Sequence, residues 1–234
     1  MREITGLNEK EAKSILQNIN WNLESAIEFF FSQDIQPSLS HQSSLKSDLI
    51  EALFTKYKNS GSEDIEREGI QTLCEDLNID PLDPVILAFA YYCKAEVMGI
   101  FKKTEFIAGL NALNCDTINK LQLKITELRQ SLLDPKFFKQ VYVYTFLFSR
   151  EVGCRNLSLD VAVSLWRLLL GDKFPMVERW IEFLEARQKK HDISKDTWDM
   201  LLDFLEIVEK NGIQGYDPDG SWPTLIDEFV EVLR

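Results

Sequence analysis

The chain has 234 residues, 45% of them apolar and 11% aromatic, and a formal net charge of −12. This is the composition of a folded chain, long enough to bury a core without disulfide or metal staples, as one large domain or two unequal ones. The acidic balance argues against a role with nucleic acid or anionic membranes, which need clustered Lys and Arg, and fits a basic protein partner better.

Residues 1–33 read as a small helical unit. Asn8 is placed to cap a helix, with Glu11 three positions on closing a capping box and Ala12, Ile15 and Leu16 at helical spacing. Asn20-Trp21-Asn22 breaks that helix, and Asn22 caps a second one through Leu23, Ala26, Ile27 and Phe30. The stretch TGLNEKEAKSILQNINWNLESAIEFFF resembles a ubiquitin-associated (UBA-like) domain, covering its second and third helices; the first would have to fit within Met1 to Thr5. The resemblance makes ubiquitin a candidate ligand of this unit. Residues 34–45 are polar at first, with Pro37 and several serines, and read as a linker; helical order restarts at Leu45.

From residue 46 to the end the pattern is helical throughout. Leu49, Ile50, Leu53, Phe54 and Tyr57 form one apolar stripe, ended by Asn59-Ser60-Gly61-Ser62. Further helices are expected from Gly69 to Leu77, from Asp83-Pro84 to about Glu96, and from starts at Thr104, Asp116 and Asp134-Pro135. The helix from Pro135 is apolar nearly all round, which predicts a central buried helix. Helices then follow from Ser158, over Phe174 to Arg187, Ser194 to Glu209 and Pro223 to Leu233. No alternating strand is evident, although short extended pieces that pair two loops are compatible with paired helix–loop–helix units. The fold class is therefore all-α.

The last 44 residues hold eleven acidic residues against three basic ones, a net of −8 out of −12. On a helical wheel Asp196, Asp199, Asp203 and Glu206 fall on one side, with Trp198, Leu201, Leu202, Leu205 and Val208 opposite. One face is expected to pack and the other to present carboxylates to a basic partner.

Other chemistries find little support. Cys74, Cys93, Cys115 and Cys154 form no CxxC, and His41 and His191 lie near none of them, so no zinc site or other cofactor is expected and buried free thiols in a reducing compartment are the default. The longest apolar run, Val85 to Cys93, is too short to span a bilayer. No phosphate loop, GxSxG or HExxH is present. Cys115 precedes a helix start, where a thiolate would be favoured, which leaves a cysteine-based transferase as a rival reading. Residues 217–228 and 57–68 superficially suggest calcium loops but have Trp222 or an unsuitable residue where the loop needs glycine or oxygen ligands. A divergent EF-hand-like calcium-binding interaction module is the alternative from another class.

The blocks ISKDTWDMLLDF, YDPDGSWPTLIDEFVE, NLSLDVAVSLWRLLL, DKFPMVERWIEFLE and YTFLFSR occur in order and resemble the defective-in-cullin-neddylation family, whose main module is the potentiating-neddylation (PONY) domain. The resemblance covers about residues 46–234, and the UBA-like unit in front matches the family's usual arrangement. It implies paired EF-hand-like helical units without calcium and a scaffold-type co-ligase with no nucleophile of its own, in nucleus and cytoplasm. Such a protein binds the winged-helix region at a cullin C-terminus and the charged neddylation conjugating enzyme. The family's cullin-binding patch maps onto Asp196, Ser221 and Asp227, with Ser221 standing where the family has alanine. Its apolar pocket for the acetylated N-terminal methionine of the conjugating enzyme maps onto Ile70, Ile86, Leu87, Phe89, Ala90, Phe101, Phe148, Leu165 and Leu168. An acetylated N-terminus is neutral and so enters an apolar slot without losing the hydration of an ammonium.

Overall fold

The structure, a computed structural model, describes residues 39–187 and 192–234, together with Lys13, Leu16, Gln17 and residues 21–23; side chains are described from Leu45 onward in the first helix. Among these residues ten α-helices follow one another: α1 (Leu39–Tyr57), α2 (Arg67–Leu77), α3 (Val85–Cys93), α4 (Lys103–Ala112), α5 (Ile118–Ser131), α6 (Pro135–Ser149), α7 (Leu159–Leu170), α8 (Met176–Glu185), α9 (Lys195–Asn211) and α10 (Thr224–Leu233). A 3-10 turn at Ile213–Gly215 precedes α10. Compact packing divides the chain into Met1–Leu49 and Ile50–Arg234, a division that falls inside α1.

In the first unit, Trp21 has a φ of 62° and its N–H donates to the Leu16 carbonyl at 2.7 Å. This turn stands where Asn20-Trp21-Asn22 is expected to break the helix. Most of the other residues of the two helices read in residues 1–33 lie outside the described residues. α1 begins at Leu39, six residues before the expected Leu45 and inside the segment read as a linker. Once the stripe from Leu49 to Tyr57 has nucleated a helix, each added upstream turn costs little, so polar residues extend it back to Leu39.

The second unit is built from coupled helix–loop–helix pairs. Residues 58–66 join α1 to α2 and residues 94–102 join α3 to α4; Ile65 and Phe101 exchange both backbone hydrogen bonds, at 3.0 and 2.8 Å. Residues 150–158 and 186–194 repeat the arrangement between α6–α7 and α8–α9, with Leu157 and Ile193 exchanging bonds of 2.9 and 2.7 Å. All four bridging residues are buried. Each bridge thus satisfies backbone groups inside the core that the loops would otherwise leave unpaired. These two isolated bridges are the extended pieces anticipated between paired units, and no sheet forms among the described residues.

Local signals explain most boundaries. Asp134 accepts from the Phe137 N–H at 3.0 Å, Ser194 from that of Thr197 at 3.1 Å and Thr117 from that of Lys120 at 3.4 Å. Asp83 caps α3 through the Val85 N–H at 2.9 Å. α3 stops at Cys93 rather than near Glu96, because Lys94 turns left-handed (φ 52°) and its N–H, with that of Ala95, closes on the Tyr91 and Ala90 carbonyls. The turn releases the chain to pair with Ile65. Gly109 makes the α3–α4 contact possible: a Cβ there would lie 2.3 Å from Cys93 Sγ and 2.8 Å from its Cα.

α6 packs against α3 and α9, but it is not buried all round as its composition predicts: Lys136, Lys139, Gln140 and Leu147 are exposed. Its Tyr142 is wholly buried, donating to the Trp198 carbonyl at 2.7 Å and accepting from Trp166 Nε1 at 3.1 Å. Trp198 Nε1 returns a bond to the Tyr142 carbonyl at 3.0 Å, and the Trp166 and Trp198 rings stack 5.4 Å apart. The network ties α6, α7 and α9 together with these buried donors satisfied. α9 therefore leaves the core with a fixed rotation, which decides which of its carboxylates face outward.

Candidate protein-docking site

The acidic face of α9 is less uniform than the wheel predicts. Trp198, Leu201, Leu202 and Leu205 are buried as expected, but Phe204 is also fully buried. It packs against Tyr216, Trp222 and Phe229, at ring separations of 6.1–6.3 Å, so α10 and the loop before it cover a second flank of α9. Asp199 and Asp203 are only partly exposed and are ion-paired with Lys195 and Lys139. Glu206 is half-buried, whereas Asp196 in the first turn of α9 is exposed and has no ion-pair partner among the described residues. Partially buried pairs have spent their charge locally; an exposed carboxylate without a cation retains its field for a partner.

Ser221 and Asp227 flank the start of α10. Residues 217–222 form a tight turn in which the Asp217 carbonyl accepts from the Gly220 N–H at 3.1 Å and from Trp222 Nε1 at 3.0 Å. The indole folds so closely over Gly220 that a Cβ there would meet Nε1 at 2.6 Å. Ser221, between them, is exposed. Asp227 is half-buried and accepts from the Tyr216 hydroxyl at 2.5 Å. Burial and the neighbouring carboxylate raise the Tyr216 phenol to about 12, so at neutral pH it is protonated and donates. Arg234 lies over the same ring, 5.8 Å from its centre. Glu228, the next residue, pairs with Arg187 just beyond α8.

The structure thus joins Ser221 and Asp227 in one aromatic-backed corner through Tyr216, Trp222 and Phe204. Among the described residues no hydrogen bond or ion pair links Asp196 to that corner; it stands two turns up α9 from Phe204. Tyr216 escaped the sequence reading because a tyrosine in a turn-rich loop gives no periodic signal; only its proximity to an acidic turn hinted at a role.

The nine apolar residues that the resemblance maps to a pocket divide by depth. Leu87, Phe89, Ala90, Phe101, Phe148 and Leu165 are buried, while Ile70, Ile86 and Leu168 are half-buried. Phe89 meets Phe101 edge to face at 5.4 Å, and the Met98 N–H donates to the Phe148 carbonyl at 2.9 Å, which ties residues 94–102 to α6. A cleft of about 570 Å³ opens nearby between the ends of α3 and α6, but it shares only Phe148 with the nine.

The rival chemistries can be placed on the same geometry. Cys115 is 1% exposed and its Sγ donates to the Leu113 carbonyl at 3.4 Å; burial pushes its thiol up, against the thiolate that a helix start alone would favour. Cys74 is pushed to about 11 and Cys93 well up, again by burial first. The twelfth position of the calcium-like stretch, Glu228, is engaged by Arg187, and Asp217 Oδ1 accepts from the Asp219 N–H at 3.0 Å. Among the described residues no three His, Cys, Asp or Glu side chains gather as a metal-holding group, and no helix is long and apolar enough to cross a membrane.

Comparison with known proteins gives two family matches: a family described as "Cullin binding" over residues 120–232 and one described as "UBA-like domain" over residues 1–36. The chain is 32% identical over 232 residues to "Defective in cullin neddylation protein 1" of Yarrowia lipolytica, covering 98% of this chain and 92% of that protein. It is 38% identical over 176 residues to "DCN1-like protein 5" of Homo sapiens, covering 75% and 73%. It is 29% identical over 255 aligned positions to "Defective in cullin neddylation protein 1" of Caenorhabditis elegans, covering 98% and 86%.

Proposed function

Because the chain belongs to the DCN1-like family, with a cullin-binding domain and an N-terminal UBA-like domain, we propose that it acts in cullin neddylation as a non-catalytic co-ligase. It binds the winged-helix region at a cullin C-terminus and, through a separate apolar pocket, the acetylated N-terminus of the charged conjugating enzyme. Holding both raises the effective concentration of the reacting pair and restricts its geometry, so the modifier passes faster to a cullin lysine. The nucleophile and the thioester belong to the partners.

One observation carries the cullin-docking part: in the most acidic segment, Asp196 stands exposed at the first turn of α9 without a local cation, while Asp227 is held at the start of α10 by Tyr216. The patch is Asp196, Ser221 and Asp227. Ser221 replaces the family's alanine by adding one exposed hydroxyl, which fits a polar rim. Ile70, Ile86 and Leu168, half-buried, would form the mouth of the conjugating-enzyme pocket, with the six buried residues beneath. In domain terms, residues 1–33 form the UBA-like unit, with ubiquitin as its candidate ligand, residues 34–45 the connection (helical from Leu39), and residues 46–234 the EF-hand-like cullin-binding domain. A pull-down against a panel of cullin C-terminal fragments tests the proposal: at least one is retained, and retention declines with salt. Retention of none would reject it.

Two variants probe the mechanism. Tyr216→Phe keeps the aromatic corner and removes the hydroxyl that orients Asp227. Cullin-fragment affinity is expected to fall about three- to tenfold, the net scale of one ordinary hydrogen bond. This is less than the loss of a bond made to cullin by a charged group, because Tyr216 acts through the orientation of Asp227. In an Asp227→Asn background the same change should cost clearly less; an undiminished cost would mean that Tyr216 acts elsewhere. Cys115→Ser should leave modifier transfer near normal, measured at matched folded protein; loss of transfer with cullin binding retained would favour the transferase reading.

A further inference from the structure

The cleft between the ends of α3 and α6 shares only Phe148 with the proposed conjugating-enzyme pocket and no residue with the cullin patch. Its volume, about 570 Å³, is within the range of ligand-binding clefts. Its wall is aromatic and fixed: Tyr91 meets Tyr144 edge to face at 5.5 Å, Tyr144 stacks on Phe148 at 5.3 Å, and the Tyr144 hydroxyl donates to the Ala95 carbonyl at 2.7 Å. Leu147 also lines it and is 47% exposed. Met98 and Val152, on the loops that also carry Glu96 and Arg150, are 41% and 84% exposed.

The rim has the opposite sign to the molecule. Lys94 and Arg150 both line the cleft and have no carboxylate partner among the described residues; Arg150 donates only to the Arg155 carbonyl, at 3.4 Å. The one carboxylate lining it, Glu96, is already paired with Lys102 at 2.6 Å. We propose that this cleft is a further docking site, for a short segment of a partner protein that carries an apolar side chain flanked by carboxylates. The apolar side chain lies on the tyrosine wall against Leu147, and the carboxylates meet Lys94 and Arg150. A small free anion would be repelled by a chain of net charge −12 without compensating burial, whereas an acidic segment with an apolar anchor gains from both terms. The inference does not rest on cullin binding.

The test is fluorescence anisotropy of the full chain with a fluorescein-labelled peptide Glu-Asp-Leu-Phe-Asp-Glu, against the same peptide with lysines in place of the acids. Saturable binding of the acidic peptide, at least about tenfold tighter than the basic one, is expected. Leu147→Glu, and separately Lys94→Asn with Arg150→Gln, should each weaken it about tenfold or more, while Asp196→Lys with Asp227→Lys should not weaken it. Leu147 and Lys94 are exposed and Arg150 is half-buried, and asparagine tolerates the left-handed backbone at 94; should one variant lose its fold by circular dichroism, the other decides. No saturable binding, equal binding of the two peptides, or indifference to the folded variants overturns the proposal. A dimer in sedimentation that Leu147→Glu dissolves would assign the cleft to a second copy of this chain and overturn it too.

Discussion

Replacing Asp196 and Asp227 together by lysine should lower affinity for a cullin C-terminal fragment by about 100-fold or more, with the thermal midpoint of the protein little changed. Each reversal removes an attraction and adds a repulsion toward a basic surface, roughly tenfold or more apiece. Stability should hold because Asp196 is exposed without an ion pair among the described residues, and Asp227 is half-buried with one bond, to Tyr216. By contrast, Asp203→Lys should act mainly within the fold, since Asp203 is already paired with Lys139. Titration of the fragment by calorimetry separates these cases. An unchanged affinity in the double variant would remove the carboxylates from the docking site.

Trp198→Ala should have the largest effect on folding. It empties a wholly buried site, removes the stack with Trp166 and leaves the Tyr142 carbonyl without its indole donor. Loss of a large buried aromatic typically costs about 3–5 kcal/mol. In urea the midpoint for the helical unit should fall with its slope unchanged. A loss below about 1 kcal/mol would mean that α6, α7 and α9 are not held by this network. Trp198→Phe, which keeps an aromatic ring, should fall between the variant and wild type.

The contrast between the two acidic positions shows what the chain reveals before it is folded. The helical period placed Trp198, Leu201, Leu202 and Leu205 inward because their spacing is a local property of α9. It could not place Phe204, whose burial depends on α10 and the loop before it returning across α9, nor foresee that Lys139, on a helix over sixty residues earlier, reaches Asp203. Caps were legible at Asp83, Asp134 and Ser194, where a single side chain closes the first turn. The end of α3 was not, because there Lys94, a residue with no helix-stopping signal, takes a left-handed turn that leads the chain into the pairing of Phe101 with Ile65, a contact between two loops. The same holds for the site: Asp196 and Asp227 could be named from their sequence blocks, whereas the hydroxyl that orients Asp227 comes from a loop without periodicity.

The residues of the proposed conjugating-enzyme pocket show the complementary limit. All nine are apolar positions on or beside helices, and sequence alone cannot separate a floor from a mouth. In the structure Ile70, Ile86 and Leu168 retain exposure and the rest are interior. Truncating the buried six would confound binding with stability through the cavities left behind, so the three half-buried side chains are the ones through which the proposed pocket should be examined.

The most direct measurement is the rate of modifier transfer to a cullin C-terminal fragment, at fixed conjugating enzyme, as this protein is titrated from none to large excess. A tethering scaffold predicts a rate that rises, passes through a maximum and falls again as the two partners are drawn onto separate copies, with the rise absent for Asp196→Lys with Asp227→Lys. A rate that climbs to a plateau without falling, or acceleration that survives in the double variant, would contradict the account.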